Sequence, residues 1–281
     1  MNCHAMILAA GRGQRMRPLT DTTPKPLLRV RGKPLMQWPM EALARGGFGQ
    51  LVVNTGWLGE QISDFFGIIP ASNGHSSLLN LTSIEVHYSH EEQDFGYALE
   101  TAGGIARALP LLGEVFWVLA GDVYAPDFAC TAASVDRFTA SGKLAHLWLV
   151  PNPPHNPRGD FGLGGDGLAL NQTDEKFTFS TIALYRRALF EAPWCAILPG
   201  NPQGTVAPLA PLLRAAMDAG QVSAELYTGA WTDVGTPERL AELNDQADQA
   251  RFETETQRIV RAQRGPELLR KAQSTEKGSA E

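Results

Sequence analysis

The sequence predicts an α/β fold, because short apolar runs alternate along the chain with segments that have the spacing of amphipathic helices. Residues 5–10, 51–54 and 115–120 have the length and composition of buried strands. A later region, 146–185, is rich in Pro and Gly and alternates apolar with polar residues, which predicts an added β layer. These observations predict one main domain over residues 1–245, with a small β insertion at 146–185.

Composition limits the classes of protein to which the chain can belong. It has 281 residues, 43% of them hydrophobic, which is enough for a sizeable core. The formal net charge of −6 argues against non-specific nucleic-acid binding, which favours basic domains. No apolar run approaches the roughly 20 residues of a membrane span, and no signal peptide is expected. Cys3, Cys130 and Cys195 are scattered and lack metal-ligand spacing, which favours the reducing cytoplasm.

The first predicted strand leads into a glycine loop with features suited to phosphate. Gly11, Arg12 and Gly13 break the apolar pattern, and glycine lets a ligand approach the backbone closely. The exposed N–H groups of such a loop suit a polyphosphate, and Arg15 adds a guanidinium. Lys25 stands between two prolines, which restrict the backbone and could direct its amine toward the loop. The Walker and dinucleotide patterns are both absent, and a plain structural turn is the alternative.

Helices and strands follow in alternation. In order, the pattern predicts a strand over 27–30, helices over 35–45 and 59–66, a surface loop over 71–80, a strand over 83–88, a helix over 99–109, a helix over 207–219 and a strand over 225–231. His90, Glu91 and Glu92 are interpreted as solvated charges, because Asp94 stands where a zinc HExxH motif needs His. A polar helix is predicted beyond residue 245, and residues 271–281 have the composition of a disordered tail.

Several polar or glycine positions follow the predicted strands, where ligands collect in open α/β sheets. Asn54 could contact a base or ribose, or simply start a turn. Asp122 follows a buried strand and could hold a divalent cation, although a Gly-Asp turn is the alternative. Gly104 lies inside a predicted helix and allows either close approach of a nucleobase or tight helix–strand packing. Asp160, in a Pro-rich loop, could contact sugar hydroxyl groups or form a turn.

Together these stretches resemble the motifs of the sugar-1-phosphate nucleotidyltransferases over residues 4 to about 245. The stretches that carry the resemblance include LAAGRGQRMRPLT, TPKPL, WLGEQI, LETAGGI, RGDF and WTDVGTPERLAE. The resemblance implies a Rossmann-like, three-layer mixed β-sheet with a small β insertion for the sugar, and it also implies Mg²⁺. It is strongest to the enzymes that transfer UMP from UTP to N-acetylmuramate 1-phosphate in peptidoglycan recycling. Thymidylyl- or uridylyltransferases of glucose 1-phosphate and guanylyltransferases of mannose 1-phosphate are the alternatives within the family.

The resemblance also implies roles for individual residues. Arg15 and Lys25 would be catalytic, and Asp122 and Asp233 would hold the metal. The implied nucleotide contacts are Leu8, Ala10, Gly11, Gly13, Gln14, Arg15, Lys25, Asn54, Glu100, Gly104 and Gly121, and the implied sugar contacts are Asp160 and Ser180. The chain departs from the family pattern in two places: Thr181 follows Ser180 where a Gly is usual, and no basic residue is found near Pro208. A non-catalytic sugar-nucleotide sensor is the alternative of a different class, and it predicts loss of the lysine or of a metal carboxylate.

Overall fold

The computed structural model describes residues 3–67 and 84–245. The strands in this part of the chain are β1 (Cys3–Ala9), β2 (Arg29–Val30), β3 (Lys33–Pro34), β4 (Gln50–Thr55), β5 (Glu85–His90), β6 (Leu112–Ala120), β7 (Val123–Tyr124), β8 (Ala145–Val150), β9 (Gly162–Leu163), β10 (Ala169–Leu170), β11 (Thr178–Arg186), β12 (Val222–Leu226) and β13 (Thr232–Asp233). The α-helices are α1 (Gln37–Arg45), α2 (Gly59–Phe66), α3 (Glu91–Phe95), α4 (Glu100–Ala108), α5 (Ala132–Ser141) and α6 (Leu209–Asp218), and residues 237–245 are also helical.

A mixed sheet of seven strands lies at the centre, in the order β12-β8-β11-β6-β1-β4-β5. Strand β1 runs parallel to both β4 and β6, whereas β11 runs antiparallel to β6 and β8. The register places Leu8 opposite both Asn54 and Ala120, so the segments that follow β1, β4 and β6 leave the sheet at one edge. This arrangement confirms the predicted α/β fold with a Rossmann-like mixed sheet, and it fixes the edge at which a ligand site would form.

Helices cover both faces of this sheet, because successive residues of its strands point to opposite sides. Met6 contributes to one apolar core, which includes Ile105 of α4 and Leu213 of α6. Ile7 contributes to the other core, which includes Met40 of α1. The central strands are therefore apolar at nearly every position, which explains why they are visible in the sequence as continuous apolar runs.

The predicted β insertion at 146–185 is smaller than expected. Strands β8 and β11, at the two ends of that region, belong to the central sheet, and only the hairpin of β9 and β10 forms a separate two-stranded sheet. The reason is that β8 and β11 are buried along most of their length, as interior strands of a sheet must be. The strand expected over 225–231 lies earlier, at Val222–Leu226. The predicted loop at 71–80 and tail at 246–281 lie outside the described residues.

The chain divides into two compact units, residues 1–237 and residues 238–281. The domain boundary predicted from the sequence lies eight residues later, at residue 245. The first unit contains the sheet and all the residues that the sequence nominates for function. The described part of the second unit, residues 238–245, is helical. Within the described residues, no helix combines the length and the apolar character needed to cross a bilayer.

Candidate active site

A cavity of about 340 Å³ opens at the edge where β1, β4 and β6 end. It is lined by six of the predicted nucleotide contacts, Leu8, Ala10, Gly11, Lys25, Asn54 and Glu100, and by the predicted metal ligand Asp122. They converge because the parallel register brings the ends of three strands side by side. We call this space the edge cavity.

The glycine loop after β1 is held by contacts on its inner side. Gly13 has a φ of 65°, which favours glycine, and a Cβ there would lie 3.0 Å from Cγ2 of Thr20. The Thr20 hydroxyl donates a hydrogen bond to the Gly13 carbonyl at 2.8 Å. Gln14 and Arg15 lie on the single 3₁₀ turn that follows; both are exposed, and neither lines the edge cavity. The phosphate contacts of Gln14 and Arg15 therefore remain predictions, and a phosphate would have to meet these two side chains outside the edge cavity.

Lys25 is directed into the edge cavity by its backbone. Pro24 is extended, with φ −64° and ψ 141°, and Lys25 begins a 3₁₀ turn. The lysine side chain is only 11% exposed, and its Nζ forms an ion pair with Oδ2 of Asp122. The lysine Cβ also lies next to Gly13. The structure thus brings the predicted lysine to both the glycine loop and a predicted metal carboxylate.

The short antiparallel pair of β7 and β13 joins the chain segments that carry Asp122 and Asp233. Asp233 stands opposite Val123 in this pair, and the Val234 N–H donates to the Asp122 carbonyl at 3.0 Å. Oδ1 of Asp233 lies 2.7 Å from Nε2 of His155, an ion pair when the imidazole is protonated. Gly121, just before Asp122, donates its N–H to the Leu8 carbonyl at 2.8 Å. Gly121 therefore fixes the turn into Asp122 and does not line the edge cavity.

The side chains of Asp122 and Asp233 are oxygen donors of the kind that divalent cations prefer. No group of three His, Cys, Asp or Glu side chains placed to hold a metal occurs in residues 3–67 and 84–245. Carboxylate oxygens are hard donors, and Mg²⁺ is commonly bound by one or two of them together with phosphate oxygens and water. Asp122 directly precedes β7 and Asp233 ends β13, the strand that pairs with β7, so two such carboxylates stand on adjacent segments.

Glu91 is a buried member of the edge cavity, which corrects its interpretation as a solvated charge. It is 0% exposed, and its Oε1 accepts a hydrogen bond from Nδ2 of Asn54 at 2.6 Å. Its Oε2 accepts from the Leu99 N–H at 2.7 Å, and Asn54 in turn accepts from the Ala9 N–H at 2.9 Å. Burial raises the pKa of the Glu91 carboxyl, with a partial offset from these hydrogen bonds and from Arg107.

Gly104 serves this buried network, and the structure does not support its prediction as a nucleotide contact. A Cβ at Gly104 would lie 2.5 Å from Oε1 of Glu91 and 3.0 Å from Nδ2 of Asn54. The absence of a side chain therefore makes room for the carboxylate–amide pair, and Gly104 does not line the edge cavity. The alternative of tight packing, which the sequence left open, is the observed one.

The raised pKa of Glu91 gives a testable pH dependence of stability. The folded protein holds the Glu91 proton more tightly than the unfolded chain, in which a Glu titrates near pH 4.3, about its ordinary value. The free energy of unfolding should therefore fall as the pH rises from about 4.3 to the raised pKa. Urea denaturation across this window should show that fall in the wild type and not in Glu91→Gln. A Glu92→Gln variant, changed at an exposed neighbour, should keep it; equal pH profiles for wild type and Glu91→Gln would contradict the assignment.

A second cavity, of about 370 Å³, adjoins the first and has Asp160 in its wall. We call it the inner cavity. Oδ2 of Asp160 accepts from the Phe179 N–H at 2.8 Å and from Nδ2 of Asn156 at 3.3 Å, so the loop holds this carboxylate in place. The residues that line both cavities are Leu8, Glu100, Thr101 and Thr181. A ligand could therefore extend from one cavity into the other.

Ser180 is buried and structural, which corrects its prediction as a sugar contact. It is 0% exposed, its hydroxyl donates to the Trp148 carbonyl at 2.6 Å, and its own carbonyl accepts from Nε1 of Trp231 at 3.1 Å. Ser180 lies between Phe179 and Thr181, which line the inner cavity, and because successive side chains of a strand point to opposite faces, Ser180 points away from it. Thr181 lines both cavities instead, with a φ of 60° that is rare for a β-branched residue.

Sequence reasoning missed three side chains in this region: Glu91, His155 and Arg214. Glu91 stands in an acidic run that has the composition of a solvated surface. His155 lies in the Pro-rich loop, where spacing gives no partner. The sequence could have indicated Arg214, because it follows Leu213 at the margin of the apolar face of α6 and so lies next to the core. It lines the inner cavity beside Pro208, where a basic residue was expected and not found.

The known proteins to which the chain is similar are nucleotidyltransferases. A model of the family described as nucleotidyl transferase matches residues 4–176. The chain is 47% identical over 245 residues to an N-acetylmuramate alpha-1-phosphate uridylyltransferase of Neisseria meningitidis serogroup B, covering 85% of this chain and 95% of that protein. It is 36% identical to a UTP–glucose-1-phosphate uridylyltransferase of Synechocystis over 47% of this chain and 34% of that one.

Solved structures share the fold. A UDP-glucose pyrophosphorylase in complex with UDP-glucose matches with a TM-score of 0.67 and 18% identity, covering 89% of this chain and 100% of that one. A Bacillus anthracis protein assigned as a glucose-1-phosphate thymidylyltransferase, in complex with a sucrose, matches with a TM-score of 0.68 and 20% identity over 86% and 94% of the two chains. At these identities the likeness supports the fold alone.

Proposed function

This chain belongs to the nucleotidyl transferase family, and from that membership we propose that it transfers UMP from UTP to N-acetylmuramate 1-phosphate. The products are the UDP-sugar and pyrophosphate. The observation that carries the proposal is the ion pair of Lys25 and Asp122 in the edge cavity, which adjoins the inner cavity. The two substrates would occupy these adjoining cavities of about 340 and 370 Å³, where Lys25 supplies a positive charge and Asp122 a carboxylate.

The proposed reaction is a direct displacement at the α-phosphorus of UTP. An oxygen of the sugar-1-phosphate forms the new bond to that phosphorus, while the bond to the bridging oxygen breaks and pyrophosphate leaves with its electron pair. The attacking phosphate is already ionised, so the step needs no general base from the protein. Catalysis then consists of holding the reactants in line and stabilising the charge that develops on their oxygens.

In this scheme, the glycine loop, Lys25 and Arg15 would each contact a different part of the substrates. Backbone N–H groups of the loop from Gly11 to Gly13 would bind the leaving phosphates. The Lys25 ammonium would exchange its contact with Asp122 for phosphate oxygens, drawing the two anionic substrates together. Arg15, exposed on the adjacent 3₁₀ turn, would meet the pyrophosphate from outside the cavity.

Enzymes of this family use a divalent cation, and we propose Mg²⁺ for this one. Asp122 and Asp233 would hold it, and its charge would offset that of the phosphate oxygens when it is bound. Asn54 and Glu91, which also line the edge cavity, would shape the space for the base. The proposed compartment is the cytoplasm, and the three cysteines are free and buried, as a reducing compartment leaves them.

The test is a substrate panel. The purified protein is given UTP, dTTP or GTP together with N-acetylmuramate, glucose or mannose 1-phosphate, with and without Mg²⁺. The proposal predicts that UTP with N-acetylmuramate 1-phosphate has the highest kcat/KM, and that UDP-sugar and pyrophosphate form in equal amounts only with the metal. Binding of UTP without release of pyrophosphate from any pair would contradict the proposal and would identify a sensor.

A further inference from the structure

The inner cavity combines apolar walls with one strongly basic side chain. Its apolar wall includes Phe161, Phe179 and Leu209. Arg214 is the one Lys or Arg side chain among the residues lining this cavity in the described part of the chain. Its guanidinium presents five N–H donors in a planar fork that matches a carboxylate.

The Arg214 guanidinium forms no ion pair with a carboxylate of the described residues. Among the described residues, no carboxylate oxygen lies within 4.0 Å of the Arg214 guanidinium, whose Cζ lies over the ring of Phe161, 6.0 Å from the ring centre. Arg187, by comparison, pairs with Glu191 at 2.7 Å and donates to the Leu109 carbonyl at 2.7 Å. Arg187 is therefore structural, whereas Arg214 keeps its donors available to a ligand.

Arg214 lies in a different cavity from Lys25, where the reacting phosphates would bind. Lys25 and Asp122 line only the edge cavity, whereas Arg214 and Asp160 line only the inner cavity. A sugar-1-phosphate whose phosphate reaches Lys25 would therefore direct its ring substituents into the inner cavity. An anionic group that meets Arg214 must belong to the sugar itself and not to its 1-phosphate.

We propose that Arg214 is a specificity-determining residue that binds a carboxylate carried by the sugar ring. This inference rests on the proposed function and specifies the substrate class of the same site. For N-acetylmuramate 1-phosphate, the group is the carboxylate of the lactyl ether at O3. N-acetylglucosamine 1-phosphate has the same ring, acetamide and phosphate but lacks this ether, so it would leave Arg214 without a partner.

The test compares these two sugar phosphates in the wild type and in Arg214→Leu. We expect the variant to lose about 10- to 100-fold in kcat/KM for N-acetylmuramate 1-phosphate, the scale of a lost charge-assisted hydrogen-bond pair. For N-acetylglucosamine 1-phosphate we expect a change below about threefold, since the lost donors had no partner there. Arg214→Lys, which keeps the charge without the fork, should be intermediate. Arg137→Leu, an exposed arginine of α5 outside both cavities, should change neither value.

The dissociation constants of both sugar phosphates are also measured by calorimetry. Binding and turnover together show whether the proposed role of Arg214 fails, or the proposed uridylyl transfer, or both. Equal losses for the two sugars, in turnover or in binding, would overturn the inference, and so would unchanged discrimination in Arg214→Leu. A wild-type protein that binds the acidic sugar more tightly by way of Arg214 but releases no pyrophosphate would sustain the inference and overturn the proposed function. Arg214→Lys answers the same question if Arg214→Leu does not fold.

Discussion

Replacement of Lys25 by alanine is expected to lower kcat for uridylyl transfer by about 10²- to 10³-fold, the cost of removing one charged group that stabilises the transition state. Lys25 is the cation that the structure places inside the edge cavity, paired with Asp122. Its loss would leave the negative charges of two phosphates without a protein counter-charge at the point where the new bond forms. Initial rates of pyrophosphate release at saturating UTP and sugar phosphate measure the effect.

Lys33→Ala is the matched control for this variant. Lys33 also forms an ion pair, with Glu41 at 2.8 Å, but it lines neither cavity. We expect Lys33→Ala to keep kcat within about twofold, because surface ion pairs contribute little even to stability. A Lys25→Ala protein that folds and turns over at the wild-type rate would remove Lys25 from the mechanism.

Replacement of Asp122 by asparagine is expected to have a comparable effect and to change the response to metal. The side chains have nearly the same shape, but the amide carries no charge and is a weaker ligand for Mg²⁺. We expect kcat to fall by about 10²- to 10³-fold and the Mg²⁺ concentration for half-maximal rate to rise. Metal titrations of the initial rate, run alongside the wild type, measure both changes.

Asp127→Asn provides the comparison, since Asp127 is exposed and lies in neither of the two cavities. That variant should show the wild-type rate and the wild-type metal requirement. An Asp122→Asn protein with an unchanged metal titration would refute the metal assignment, even if its rate were low. A low rate alone could arise from displacement of Lys25, the ion-pair partner of Asp122.

Much of the sheet and of the edge cavity could be predicted because both depend on local chain properties. The residues of β1 and β6 are apolar on both faces, and Gly13 follows β1 where only glycine adopts the required φ easily. Asp122 comes directly after a strand, so the parallel register alone brings it to the same edge. Such features follow from sequence position, and the residues concerned lie where they were expected.

The errors concern residues whose surroundings are set by distant parts of the chain. Gly104 faces Glu91, and Ser180 is bonded to Trp148, contacts that no local pattern encodes. Glu91 is buried because α3 begins beside the end of β4, where the Asn54 side chain donates a hydrogen bond to the Glu91 carboxylate. Arg214 reaches the inner cavity through the packing of α6, although the sequence puts it at the edge of an apolar stripe. Packing between elements, and not propensity, decides each of these positions.

The most direct measurement of the central claim is a double-variant cycle on the residues that meet at the edge cavity. Single-turnover rates of uridylyl transfer are compared for the wild type, Lys25→Ala, Asp122→Asn and the double variant. If the ion-paired groups act together on the same phosphates, the double variant should be only slightly slower than the slower single variant. Rate losses that multiply, so that the double variant loses the product of the two single effects, would mean that Lys25 and Asp122 act independently.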